Sequence, residues 1–283
     1  MSGKALSYYR GVSMRLRVRV RRRPRFTLRG LLCVVTIVCV WASLNANRAH
    51  KQRRAVATIT KLGGRVTYGF DSLAEGEGVL RAWVRRVGYY SFCEPVVEVN
   101  LTNCDVIDSD LTCLQDLPDL GTLQLNANRR VDGSGLWHVR GLHRIRTLQV
   151  QQTGLNDNAV RHILSLKNLR ELYVYGTMIG DDGVSLLSEL TSLERLDLAR
   201  TRITDNALKS VRQLPRLAEL WVAGTRVTDG GLCQLEGMQS LRTLALGGLD
   251  WGSGAKPVWV GCQVTAEGVA DFERKTPWCK VWH

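Results

Sequence analysis

The first 70 residues contain no aspartate and no glutamate. They hold 16 of the 39 lysines and arginines, whereas residues 71–283 carry 23 basic against 26 acidic side chains. The formal charge of +13 is therefore N-terminal in origin, +16 up to residue 70 and −3 beyond it. That split excludes reading the larger part of the chain as a nucleic-acid binder from its average charge. A second absence lies inside the first, because residues 30–46 (GLLCVVTIVCVWASLNA) contain no charged side chain. No C-x-x-C pair occurs among the eight cysteines, so neither a zinc knuckle nor a thioredoxin-like centre is indicated. Phosphate-binding glycine loops and nucleophile motifs are likewise missing. Histidine is sparse: His50, His138, His143, His162 and His283.

What the chain does have is a period. Apolar residues fall at offsets 0, +3 and +5 of seven blocks, from Val96/Val99/Leu101 through Leu120/Leu123/Leu125 and Ile145/Leu148/Val150. Leu169/Leu172/Val174, Leu193/Leu196/Leu198, Leu217/Leu220/Val222 and Leu241/Leu244/Leu246 continue the series. Block starts lie 24 residues apart, except for one step of 25. A fixed period of this length headed by L-x-x-L-x-L predicts an α/β leucine-rich-repeat solenoid, with a parallel sheet on its concave side and helices on its convex side. Offset +8 holds Cys104, Asn128, Thr153, Thr177, Thr201 and Thr225, polar groups expected to satisfy the backbone at the turn. Offset +12 holds Asp108, Asp157, Asp181, Asp205 and Asp229, read as caps of a helix in each repeat. A calcium ladder is the weaker reading, since no partner carboxylates stand at ligand spacing. Cys113, His138 and His162 form a line on the helix side. Adjacent helices pack roughly 8–10 Å apart, and zinc ligands sit about 2.0–2.3 Å from one ion, so that line predicts no metal site.

The blocks at residues 193–208 and 217–232 read L-x-x-L-x-L-x-x-T-x-I-T-D-x-x-L. They resemble the leucine-rich-repeat type abundant in bacterial exported and membrane-anchored proteins. The leader Arg25-Phe26-Thr27-Leu28-Arg29 and the run Lys61-Leu62-Gly63-Gly64 are similar to segments of a subset of them. The resemblance implies architecture and no binding residues. The long arginine-rich arm before Arg25 and the extra segment 247–262 depart from it.

The expected organisation is a basic cytoplasmic arm (1–29), a transmembrane signal anchor (30–46) and a juxtamembrane helix (47–62). An N-terminal cap (63–95), the repeats (96–246) and an insertion with a C-terminal cap (247–283) follow. As a helix, 17 residues span about 25 Å, short of the roughly 30 Å hydrocarbon core, with Arg29 and Arg48 placed to snorkel. Ten Lys/Arg before the stretch put the N-terminus inside and the repeats outside the membrane. A cleavable signal peptide ending near Ala46 is the competing reading. Cys262 and Cys279, which flank the last irregular segment, are the expected disulfide in an exported domain.

Function is expected on the concave face. Strand side chains alternate, so offsets +4 and +6 point outward. These columns bring Tyr173, Tyr175, Asp197 and Trp221 together beside Arg195 and Arg200, a composition typical of interface hot spots. The expectation is a non-enzymatic module, without cofactor or metal, binding a protein or a cell-envelope ligand, with the membrane contacted through 30–46. The alternative is an intracellular adaptor whose basic arm binds anionic lipid or nucleic acid. The arm lacks aromatics for base stacking, which makes nucleic acid the weaker partner.

Overall fold

Strands of three residues cannot stand alone, so each repeat depends on the coil beside it. The computed structural model describes residues 28–69, 94–250 and 258–283. The chain divides into two units, Met1–Leu44 and Asn45–His283. Helix α1 runs from Leu28 to Lys61, and β1 from Arg65 to Tyr68. The repeats contribute β2 (Val96–Asn100), β3 (Thr122–Gln124), β4 (Thr147–Gln149), β5 (Glu171–Tyr173), β6 (Arg195–Asp197), β7 (Glu219–Trp221) and β8 (Thr243–Ala245). Beyond them come β9 (Gly247–Asp250), β10 (Val258–Gly261) and β11 (Lys280–Trp282).

One nine-stranded sheet orders these strands β1 to β8 and then β11. All pairs from β2 onward are parallel, while β1 runs antiparallel to β2. The register stacks Val99, Leu123, Leu148, Leu172, Leu196, Leu220 and Leu244 in one column, every member fully buried. The second column of the period, Leu101 to Leu246, is buried too. The 24-residue spacing has thus become a continuous leucine core.

Helices α2 (Asp157–Ile163), α3 (Asp181–Leu187), α4 (Asp205–Val211) and α5 (Asp229–Leu235) each carry three buried residues against that core. The first two repeats depart from the expected α-helix. They hold 3-10 helices instead, at Asp108–Asp116 and Ser134–Val139. The second of these opens after Gly133, which takes a left-handed turn at φ 95°.

The aspartate column also does something other than expected. The N-cap of α2 is Asn156, and those of α4 and α5 are Thr204 and Thr228, one residue before each aspartate. The aspartates reach instead into the following repeat. Asp181 accepts the Thr204 N–H at 2.8 Å and its hydroxyl at 2.6 Å, and Asp205 does the same for Thr228 at 2.8 and 2.6 Å. Asp229 holds Thr265 at 2.8 and 2.7 Å, so the staple carries into the C-terminal cap. Asp108 takes the N–H groups of Asp132 at 2.9 Å, Gly133 at 3.2 Å and Gly135 at 2.6 Å. At the other turn, the threonines of the +8 column bond their own coil. Thr153 and Thr177 each donate to the carbonyl three residues back at 2.7 Å, Thr225 at 2.6 Å and Thr201 at 2.5 Å. Asn128 alone spans two rungs, donating to Leu101 and Leu125 at 2.8 Å and accepting from Cys104 and Val106 at 3.2 Å.

The N-terminal end of the solenoid is closed by the last turns of α1, where Ala55 and Ile59 are buried in the repeat core. Gln52 donates to the Glu94 carbonyl at 2.5 Å, and Arg48 pairs with Asp119. The helix ends at Lys61 and the chain turns at Gly63, φ 85°, after which Gly64 passes so close to Leu101 that a Cβ would collide with it. The expected juxtamembrane helix over 47–62 is therefore the end of one longer helix, and it works as a cap. Among the described residues, no helix is long and apolar enough to cross a membrane. The expected transmembrane stretch, residues 30–46, lies within α1, which runs on into Arg48, Lys51, Arg53 and Arg54. The side chains of Leu31, Val34, Val38 and Trp41 are outside the described part. Most of the expected cap, residues 70–93, lies outside it as well.

At the C-terminal end, β11 extends the sheet beside β8, and α6 (Ala266–Lys275) buries Val269 and Phe272. The expected insertion includes an antiparallel hairpin of β9 and β10. Trp251 and the side chain of Trp259 are outside the described residues. Cys262 and Cys279 are both free thiols, which corrects the expected disulfide. The Cys262 N–H is tied to Leu246 at 3.0 Å and the Cys279 N–H to Thr276 at 2.9 Å. Flanking the same irregular segment does not impose the Cα separation that a disulfide requires. Burial pushes the Cys279 thiol up to about 11, and the Cys262 thiol upward as well.

Candidate functional site

The register brings the residues of the outward +4 column side by side. Tyr173, Asp197 and Trp221 are direct neighbours on β5, β6 and β7. Strands lie about 4.8 Å apart, so rings two strands apart start roughly 10 Å from one another. Their centroids are only 6.3 Å apart with the planes tilted by 42°, so both rings lean over the aspartate between them. Asp197 is held by the Ala199 N–H at 3.0 Å and by the Gln151 amide at 3.4 Å. Desolvation raises its carboxyl to about 6, against the pull of those two bonds.

Arg195 stands one row below, in the +2 column, between Glu171 and Glu219, its guanidinium 3.1 Å from each. Glu219 and then Glu171 raise its pKa, and a hydrogen bond links it to Tyr173. Burial, followed by the Glu171 charge, raises the Tyr173 phenol. The expected aromatic columns do not include these acids, whose signal in the sequence is the offset +2 column: Glu98, Thr122, Thr147, Glu171, Arg195, Glu219 and Thr243.

Tyr175 and Arg200 lie farther along, beyond the strand ends. Arg200 donates to the Tyr175 hydroxyl at 3.4 Å. With Arg129, Gln152, Gly176 and Met178 they line a depression of about 480 Å³. The six predicted residues therefore form two adjoining groups, the ring-covered aspartate with its clamped arginine and the Tyr175–Arg200 depression. Gln152, Gly176, Arg200 and Gly224 occupy the same turn position of successive repeats, at φ 54°, 66°, 54° and 68°. Glycine suits that left-handed turn, whereas glutamine and arginine hold it under strain.

The polar rungs nearer the N-terminal end are bonded to each other. Gln124 donates to Glu98 at 2.8 Å and Asn126 to Gln149 at 2.9 Å. On the helix side Trp137 is half exposed, with Arg140 3.3 Å above its ring and His162 edge-on at 6.0 Å. Among the described residues, no three His, Cys, Asp or Glu side chains converge as metal ligands.

Parallel short strands, inward leucines and one polar turn residue per coil define a leucine-rich-repeat solenoid. Residues 189–211 match the family model described as Leucine Rich repeat. No curated protein matches the chain. Among solved structures, internalin C2 of Listeria monocytogenes is similar at 21% identity and TM-score 0.49, over 66% of this chain and 70% of that one. An internalin (InlF) of the same organism is similar at 20% identity and TM-score 0.49, over 72% of this chain and 54% of its own. Neither likeness carries a binding residue across.

Proposed function

We propose that this protein is a non-enzymatic interaction module that binds a protein, or a cell-envelope ligand, on the open face of its sheet. The observation that carries the reading is the Tyr173–Asp197–Trp221 row with Arg195 clamped beneath it. Rigid aromatic area beside a pre-oriented arginine is what interface hot spots are made of. Fixed side chains lose little entropy on binding, and the surrounding strands hold these in place. The test is capture of a partner from envelope extract by the full chain, compared with the Tyr173→Ala/Trp221→Ala variant. Capture should fall at least tenfold, as expected for two hot-spot truncations at about 1–2 kcal/mol each, with little change in the unfolding midpoint. Equal loss of capture and of stability would assign the rings to packing alone.

The same proposal places the module outside the cytoplasm, on a signal anchor over residues 30–46. Ten Lys/Arg precede that uncharged stretch, which favours retention of the N-terminus inside. Within it Leu32, Val35, Ile37, Val40 and Leu44 are exposed, and Thr36 returns its hydroxyl to the Cys33 carbonyl at 2.9 Å. A reporter fused after His283 reads the topology. Activity of an export-dependent reporter supports the anchor, and activity of a cytoplasm-dependent one refutes it.

A further inference from the structure

A second candidate site lies on the opposite edge of the sheet, where the chain enters the strands. Arg144, Arg146, Arg170 and Arg216 line a groove of about 480 Å³ there, with Asn168 and Asp119. Backbone bonds run along this edge, from the Arg146 N–H to Gly121 at 2.8 Å and from the Arg170 N–H to Arg146 at 2.8 Å. They fix the two arginines on neighbouring rungs. The acids present do not neutralise the groove. Asp119 is shared between Arg144, at 2.8 Å, and Arg48, while Glu194 is taken by Arg170 at 3.2 Å. Arg146 and Arg216 are exposed and have no ion-pair partner among the described residues. This excess of positive charge sits in a region, residues 71–283, whose net charge is −3, so it is local and built by the repeat register.

From this geometry we infer that the groove binds a phosphate- or sulfate-bearing ligand, with Arg146 and Arg216 as the primary contacts. Guanidinium groups present planar forks that match tetrahedral oxyanions, and an anion held between Arg146, just ahead of β4, and Arg216, ahead of β7, offsets the excess positive charge of the groove. Asn168 stiffens the rim by donating to the His143 carbonyl at 2.8 Å. The inference is independent of the aromatic row on the open face.

The experiment is calorimetric titration of the full chain in detergent at physiological salt. Inorganic pyrophosphate represents free phosphate groups, and glycerophosphoglycerol represents a lipid headgroup. The basic N-terminal arm contributes to all variants alike, so the comparison is between two double variants of equal charge. Arg146→Gln/Arg216→Gln should weaken binding by about tenfold or more, the size of a lost charge-assisted bond. Arg202→Gln/Arg226→Gln, on the other edge, should leave it within about twofold. Glu194→Gln, which frees Arg170, should tighten it. Selective loss with either probe supports the site and names the source. Equal weakening by both double variants, or no binding of either probe, overturns it.

Discussion

Arg200 occupies a left-handed turn position that Gly176 and Gly224 fill in the neighbouring repeats. Arg200→Gly should raise stability by about 0.5–1 kcal/mol, the relief of a strained turn less the entropy that glycine adds to the unfolded chain. The same change should weaken partner capture, because it removes the arginine that meets Tyr175. Urea unfolding measures the first effect, and stability at or below that of the parent would mean the turn is relaxed. Asp197 carries a pH signature. Its carboxyl is raised in the folded protein to about 6, so the folded state binds the proton more tightly than the unfolded one. Its contribution is fully present below the unfolded pKa and is lost as pH rises through about 6. Relative to Asp197→Asn, the parent should therefore lose stability between pH 4 and pH 7. A constant difference across that window would remove the desolvated carboxylate from the account.

At the level of elements, the coils are joined by more than apolar contact. The carboxylate of Asp205 accepts two hydrogen bonds from Thr228 of the next repeat, and a Cβ on Gly231 would run into it. Asp205→Ala should cost about 1.5–3 kcal/mol in chemical denaturation, the range for hydrogen bonds to a charged group. A cost no larger than that of an exposed substitution would show that the staples are incidental. Helix α1 makes an equally definite claim. Ile59 lies outside every repeat yet is fully buried, so Ile59→Ala should cost about 2–4 kcal/mol. A negligible change in unfolding free energy would mean that the helix end is not a cap.

On the scale of the whole molecule, stability is spread along a line, because each repeat pairs its strand with those of its neighbours. A central lesion such as Leu196→Ala, in the fully buried column, should remove about 2–5 kcal/mol. It also opens a cavity directly beneath the aromatic row, so capture should fall together with stability. Tyr173→Ala/Trp221→Ala should separate the two readouts. The pair of experiments distinguishes a binding face from a structural one.

Much of this was legible in the residues. The offsets 0, +3 and +5 set which side chains face inward, since a strand alternates and a shift of one position would turn the leucines to water. The outward columns follow from the same alternation, and that alone makes Tyr173, Asp197 and Trp221 neighbours. What the aspartates bond was not legible. Proximity to a helix start in sequence suggests a cap, while the acceptors' true donors sit 23 to 36 residues on, in the adjoining coil or cap. The helix over 47–62 is visible in the sequence, but what its Ala55 and Ile59 cover depends on where it docks. Local periodicity is a property of one coil and is written in its own residues. The arginine groove, the ring-covered carboxylate and the unpaired Cys262 and Cys279 depend on distances between coils, and only packing sets those.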